Sequence, residues 1–107
     1  MVKPKEKDNF IIRIDGNDIS IQFLDGDVVD GTSVNVGLYI AEQNNIFIST
    51  KPTDNYIART LFHELGHAFH DIAMDSRNEE AFCERFASFT LDLFRSDELR
   101  KIMKRLI

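Results

Sequence analysis

The hydrophobic pattern of the chain changes period once, near Pro52. Before that point apolar and polar residues alternate in short β-branched runs; after it the apolar positions recur at helical spacing. NFIIRID (9–15) and ISIQFL (19–24) predict two strands, and Gly16 with Asn17 between them predict the turn of a hairpin. DGDVVDGTSVN (25–35) predicts a loop. GLYIAEQ (37–43) and IFIST (46–50), joined through Asn44 and Asn45, predict a second hairpin.

From about Asp54 the spacing predicts a helix. Ile57, Leu61, Leu65, Ala68 and Ile72 form one apolar stripe, widened by Phe62 and Phe69, and this face is expected to meet the core. Ser76-Arg77-Asn78-Glu79 has the pattern of a capping box and starts a second helix that runs to about Phe94. Its apolar positions, Phe82, Cys83, Phe86, Ala87, Phe89, Leu93 and Phe94, imply burial on more than one side. Ser96 caps a last helix in which Leu99, Ile102, Met103 and Leu106 follow the i, i+3, i+4, i+7 rule. Strands first and helices after predict an α+β fold, a small twisted sheet of about four strands followed by three helices.

A chain of 107 residues has the size of a single domain with a modest core. Its composition, 43% apolar and 29% charged, is that of a globular protein and not of a disordered one. No apolar run approaches the roughly 18 residues that span a bilayer, and MVKPKEKDNF lacks the apolar core of a secretory signal. No membrane association and a cytoplasmic location are therefore expected. Cys83 is the only cysteine, which rules out an internal disulfide and agrees with a reducing compartment. The net charge of −5 argues against general affinity for nucleic acid. No basic residue lies between Arg13 and Lys51, an interval that holds Asp15, Asp18, Asp25, Asp27, Asp30 and Glu42, whereas the C-terminal stretch is basic. Both regions are expected to be solvated surface, a basic peptide drawn to the acidic half being the sharper alternative. Asp25, Asp27 and Asp30 lack the spacing of a calcium loop and its glutamate at the twelfth position.

The candidate chemistry lies in TLFHELGHAFHD (60–71). Tyr56, Thr60, His63, His67 and His70 gather opposite the apolar stripe, with Glu64 at its margin. Between Tyr56 and His70 the only residues ionised at neutral pH are Arg59 and Glu64, so this face is expected to look into a cleft. In H-E-x-x-H the two imidazoles stand about 6 Å apart along the axis and nearly in line, and can converge on one metal ion. His63 and His67 are candidate zinc ligands, and Glu64, projecting beside the ion, is the candidate general base. No histidine follows His70, so a third protein ligand must be a carboxylate from Asp71, Asp75, Glu79, Glu80 or Glu84. A capping role for Glu79 leaves Glu80 for the metal, but the helical wheel settles neither, since Glu79 points nearer the apolar stripe. Glu84, one turn beyond Glu80, could orient a ligating histidine.

GLY (37–39), IFIS (46–49), TLFHELGHAFH (60–70) and EAFCERFA (80–87) together resemble the ImmA/IrrE-type metallopeptidases of the gluzincin group, over roughly half of the chain and in the family's order. The resemblance implies zinc ligation by His63, His67 and Glu80, catalysis by Glu64, and a small twisted sheet over an active-site helix and a glutamate helix. It also implies peptide or protein substrates, with a regulatory protein as the target or partner. Family members often carry Asn where this chain has Glu84, and a Leu-Leu-Met-Pro-like segment where it has FTLDLFRSDEL. In size the chain looks more like the minimal single-domain gluzincins, some of which are kept latent by their own C-terminal segment.

Of the remaining residues, His70 is too far from His63 to share an ion; it could contact substrate or polarise a carbonyl, but is expected to be a helix-end histidine near Asp71. Gly66, costly in a helix, suggests close approach of another element. Cys83 is expected to be a small buried hydrophobe, and the basic last helix to dock on the core. Two functions follow: a zinc-dependent peptidase that binds substrate extended along IFIST or GLYIA, or a non-catalytic or latent zinc-binding protein whose acidic sheet edge or basic tail engages a regulatory partner, a reading that a site closed by a fourth ligand such as Cys83 would favour.

Overall fold

The computed structural model describes residues 5–73 and 78–106. The fold is α+β, a four-stranded mixed sheet and a two-stranded ribbon followed by three helices. Strands β1 (Lys5–Ile14) and β2 (Asn17–Asp25) form the first hairpin, with Ile14 opposite Asn17. Asp15 and Gly16 make its turn, not Gly16 and Asn17. Both have positive φ, 50° and 79°, the conformation of the two-residue turn whose twist matches that of the flanking strands. Phe10, Ile12 and Ile14 of β1 and Ile19, Ile21 and Phe23 of β2 are buried on one face, while Ile11 is 55% exposed on the other. Strict alternation thus gives the sheet a single buried face. Its outer face carries polar pairs instead: Ser20 donates to Asn9 at 3.0 Å and Asn45 to Gln22 at 2.9 Å.

The segment expected as a loop contains a short ribbon of β3 (Val28–Asp30) and β4 (Ser33–Asn35), turned through Gly31 at φ 61°. Lys51 holds Asp27 of the acidic stretch at 3.1 Å. β5 (Gly37–Ile40) and β6 (Asn45–Ser49) form the second hairpin, but their connection is longer than an Asn-Asn turn: a 3₁₀ turn over Ala41–Gln43 and Asn44 in the left-handed region. β6 also pairs parallel with β2, placing Ile46 beside Ile21, so the sheet order is β1-β2-β6-β5. β5 is an edge strand and β6 is flanked on both sides.

α1 (Asp54–Ile72) lies on the buried face of the sheet. Thr53 caps it, its hydroxyl accepting from the Tyr56 amide at 3.4 Å. Ile57, Leu61, Leu65 and Ala68 are buried against Ile12, Ile21, Ile46 and Ile48; each fully buried aliphatic side chain stabilises by roughly 1.5–3 kcal/mol. Phe69 is also buried, whereas Phe62 is 44% exposed, beyond the edge of the contact. α3 (Asp97–Leu106) docks as its pattern predicts: Ser96 accepts from the Leu99 amide at 3.0 Å, and Leu99 and Ile102 are buried in the core.

α2 (Glu79–Arg95) differs from expectation at both its cap and its faces. Asn78 caps it, its side chain accepting from the Ala81 amide at 2.9 Å; Ser76 lies outside the described residues. Phe89 is its only buried residue, although Phe82, Phe86 and Phe89 all meet the ring of Phe69. Phe82, Phe86, Phe94 and Cys83 are exposed, because α2 meets neighbours along one face and not on several. Arg85 fixes its position by donating to the Ile72 carbonyl at the end of α1, at 2.8 Å, and by pairing with Asp15 at 3.5 Å. Among the described residues no helix is long and apolar enough to cross a membrane.

Candidate metal centre

The side of α1 away from the core forms one wall of a cleft of about 780 Å³, as the shortage of charged residues on that face predicts. The opposite wall comes from the ribbon and the edge strand, Val34 to Tyr39. Within the cleft the Nε2 atoms of His63 and His67 stand 3.2 Å apart. Two imidazole nitrogens bound to one tetrahedral zinc at about 2.0–2.1 Å would be roughly 3.3–3.4 Å apart. The one-turn spacing of H-E-x-x-H therefore presents the bite that a metal requires, and the donor set fits the ion. The same two nitrogens can share a proton when no ion separates them. With a carboxylate oxygen of Glu64 they form a group whose ligand atoms all lie within 4.8 Å of one another, able to hold a metal ion.

The three residues differ in exposure. Both histidines open to the cleft, whereas Glu64 is 7% exposed. Gly37 is the reason that the edge strand can lie so close to the helix here. A methyl group at that position would stand 2.6 Å from the Thr60 methyl, 3.1 Å from Glu64 Cγ and 3.3 Å from Glu64 Oε2. Thr60 is itself buried, its hydroxyl donating to the Tyr56 carbonyl at 2.8 Å. Close approach thus belongs to Gly37. Gly66, expected to mark such a contact, is exposed, and a methyl there would meet nothing within 4 Å.

At the far end of the cleft the Tyr39 hydroxyl donates to Asp71 Oδ2 at 3.1 Å, joining edge strand to helix. Partial burial first, then this bond and the negative charges of Asp71 and Glu42, push the phenol up to about 12. His70 lines the same end, but the bonded partner of Asp71 is Tyr39. Of the carboxylates considered as a third ligand, Asp71 lines the cleft. Glu79, Glu80 and Glu84 are exposed on α2, outside both the cleft lining and the His63–Glu64–His67 group, and Asp75 lies outside the described residues. Cys83 too stands apart from the group. Sequence reasoning did not single out Tyr39, and took Gly37 only as part of a resemblance. A glycine in a strand can signal close approach of another element, and that signal was there to find at Gly37, where the approaching atoms are the side chains of Thr60 and Glu64; nothing in the sequence marks the bond between Tyr39 and Asp71.

No protein-family model, no curated protein and no solved structure matches the chain.

Proposed function

We propose that this cleft hydrolyses peptide bonds with the help of a bound zinc ion. The observation that carries the reading is the convergence of His63 and His67 to 3.2 Å with the Glu64 carboxylate in the same group, on one wall of a cleft whose other wall is an open strand edge. His63 and His67 hold the ion, for which a nitrogen-rich donor set with a carboxylate is well suited. Glu80, the residue that the family resemblance implies, is the proposed third ligand, although it stands exposed on α2 outside the cleft lining. Asp71 lines the cleft too, but eight residues of helix set it about 12 Å from His63 along the axis, farther than His70, and Tyr39 holds it at the far end.

When bound, the ion polarises a carbonyl and makes water a readier proton donor. The protein supplies the remainder. β5 is hydrogen-bonded on one side only, so its free edge can take an extended peptide as an added strand; β6, flanked by β2 and β5, cannot. Glu64, fixed by its burial beneath Gly37, accepts the proton of the attacking water at its carboxylate and returns it to the leaving amine. A regulatory protein is the proposed target, in line with the family that the sequence resembles.

Glu64→Gln should keep zinc and lose peptide cleavage by at least a hundredfold, the lower range for a general base. Full activity in that variant would remove Glu64 from the mechanism. The alternative, a closed structural zinc site, requires a fourth protein ligand, and Cys83 is exposed on α2 away from the histidines.

A further inference from the structure

The cleft has an electrical direction. Among the described residues Arg59 is the only lysine or arginine that lines it, and Asp71 stands at its other end. Twelve residues of helix separate the two by about 18 Å, with His63 about 6 Å and His67 about 12 Å from Arg59 along the axis. Among the described residues Arg59 has no hydrogen bond or ion pair, whereas Asp71 is engaged by Tyr39. The edge strand runs in the same sense as the helix: Gly37 packs on Thr60 and Glu64, and Tyr39 reaches Asp71.

These facts orient a peptide. Antiparallel pairing, the stronger of the two ladders, lays a substrate on β5 with its N-terminal side toward Asp71 and its C-terminal side toward Arg59. The midpoint between the histidines lies about 9 Å from Arg59 along the axis, which a strand covers in about two or three residues at 3.3 Å each.

We propose that Arg59 receives a carboxylate carried two or three residues after the cleaved bond, either an acidic side chain or the free C-terminus of the substrate, and so makes the enzyme selective for acidic peptides on that side. The inference rests on the peptidase reading and on strand addition to β5. A planar guanidinium suits it, since it can grip a carboxylate with two parallel hydrogen bonds.

The test is a randomised library of short peptides, half with amidated and half with free C-termini, digested by the zinc-loaded protein; mass spectrometry of the products reads the residues around each cut. In parallel, zinc-loaded Glu64→Gln captures peptides from the same library without cutting them. Wild type should enrich Asp and Glu at the second or third position after the cut by roughly fivefold, the upper range for an exposed ion pair. Arg59→Gln should abolish the enrichment and Arg59→Glu invert it toward Lys and Arg, with unchanged thermal midpoints because the side chain is exposed. Enrichment in the amidated half identifies the side chain. Cuts clustered two or three residues from the end in the free half identify the terminus. Cleavage without charge preference, or a preference that Arg59→Glu leaves intact, overturns the inference and spares the peptidase. If nothing is cleaved by wild type and nothing is retained by Glu64→Gln, both readings fall.

Discussion

Replacing Gly37 by alanine puts a methyl carbon 2.6 Å from Thr60 Cγ2 and within 3.1 Å of Glu64 Cγ. Carbon atoms rest at about 3.5–4.0 Å, so strand or helix must yield by about 1 Å. Overpacking of this kind costs about 1–3 kcal/mol. Backbone preference acts the other way. The φ of Gly37 lies outside the left-handed region, so alanine fits that backbone and should gain roughly 0.5–1 kcal/mol over glycine. The clash is the larger effect, and a net loss of about 1–2 kcal/mol is expected, near 4 °C per kcal/mol in thermal midpoint. Thr60→Ser isolates the cause. It removes the methyl that alanine would strike and keeps the hydroxyl that bonds the Tyr56 carbonyl. Urea unfolding of both single variants and the double variant should give a favourable coupling of about 1 kcal/mol. A neutral or stabilising Gly37→Ala, or a cost that Thr60→Ser leaves untouched, would refute the packing argument at the place where the edge strand meets Glu64.

Gly66→Ala should have the opposite sign: with no atom to strike, it should stabilise by about 1 kcal/mol in urea unfolding, through helix propensity alone. Leu61→Ala, at a side chain 0% exposed, should cost about 2–5 kcal/mol, while Phe94→Ala, 71% exposed, should stay within about 0.5 kcal/mol. Tyr39 adds a pH dependence. Its folded pKa, about 12, lies above the ordinary value of 10, so its contribution to stability is complete below pH 10 and is lost as pH rises toward 12. Alkaline unfolding curves should therefore fall more steeply for wild type than for Tyr39→Phe, and equal slopes would remove this bond from the account.

The helices were the most legible part of the fold, because period and caps are local. Ser96 caps α3 as its pattern predicts, and the buried set Ile57, Leu61, Leu65 and Ala68 is the stripe that a 3.6-residue period selects; Thr53, which caps α1, was not singled out. Sheet order was less legible. The hairpins follow from alternation and turns, but the parallel pairing of Ile21 with Ile46 joins segments that no local pattern connects. The first turn was misplaced by one residue because Asp-Gly and Gly-Asn both favour turns, and only positive φ at Asp15 and Gly16 separates them. α2 shows the limit of composition. A run of phenylalanines shows affinity for apolar surroundings, not that a neighbour exists on every side: Phe82 and Phe86 touch only the edge of the core at Phe69 and stay exposed, and Phe94 is more exposed still. In the site, the His63–Glu64–His67 group, which could hold a metal ion, was legible as one unit from its helical spacing; the residues around it were not. Tyr39 and Asp71, or Gly37 and Thr60, become neighbours only when the edge strand crosses the helix.

Metal content tests the central claim most directly. Purified protein, supplied with zinc, dialysed and measured by elemental analysis, should hold about one zinc per chain. His63→Ala and His67→Ala should each lose it, while Glu64→Gln should retain it. Loss in Glu80→Ala but not in Asp71→Ala would identify the third ligand as Glu80, and the reverse result would assign it to Asp71. A protein that binds no zinc, or one whose zinc survives the loss of either histidine, would contradict the account.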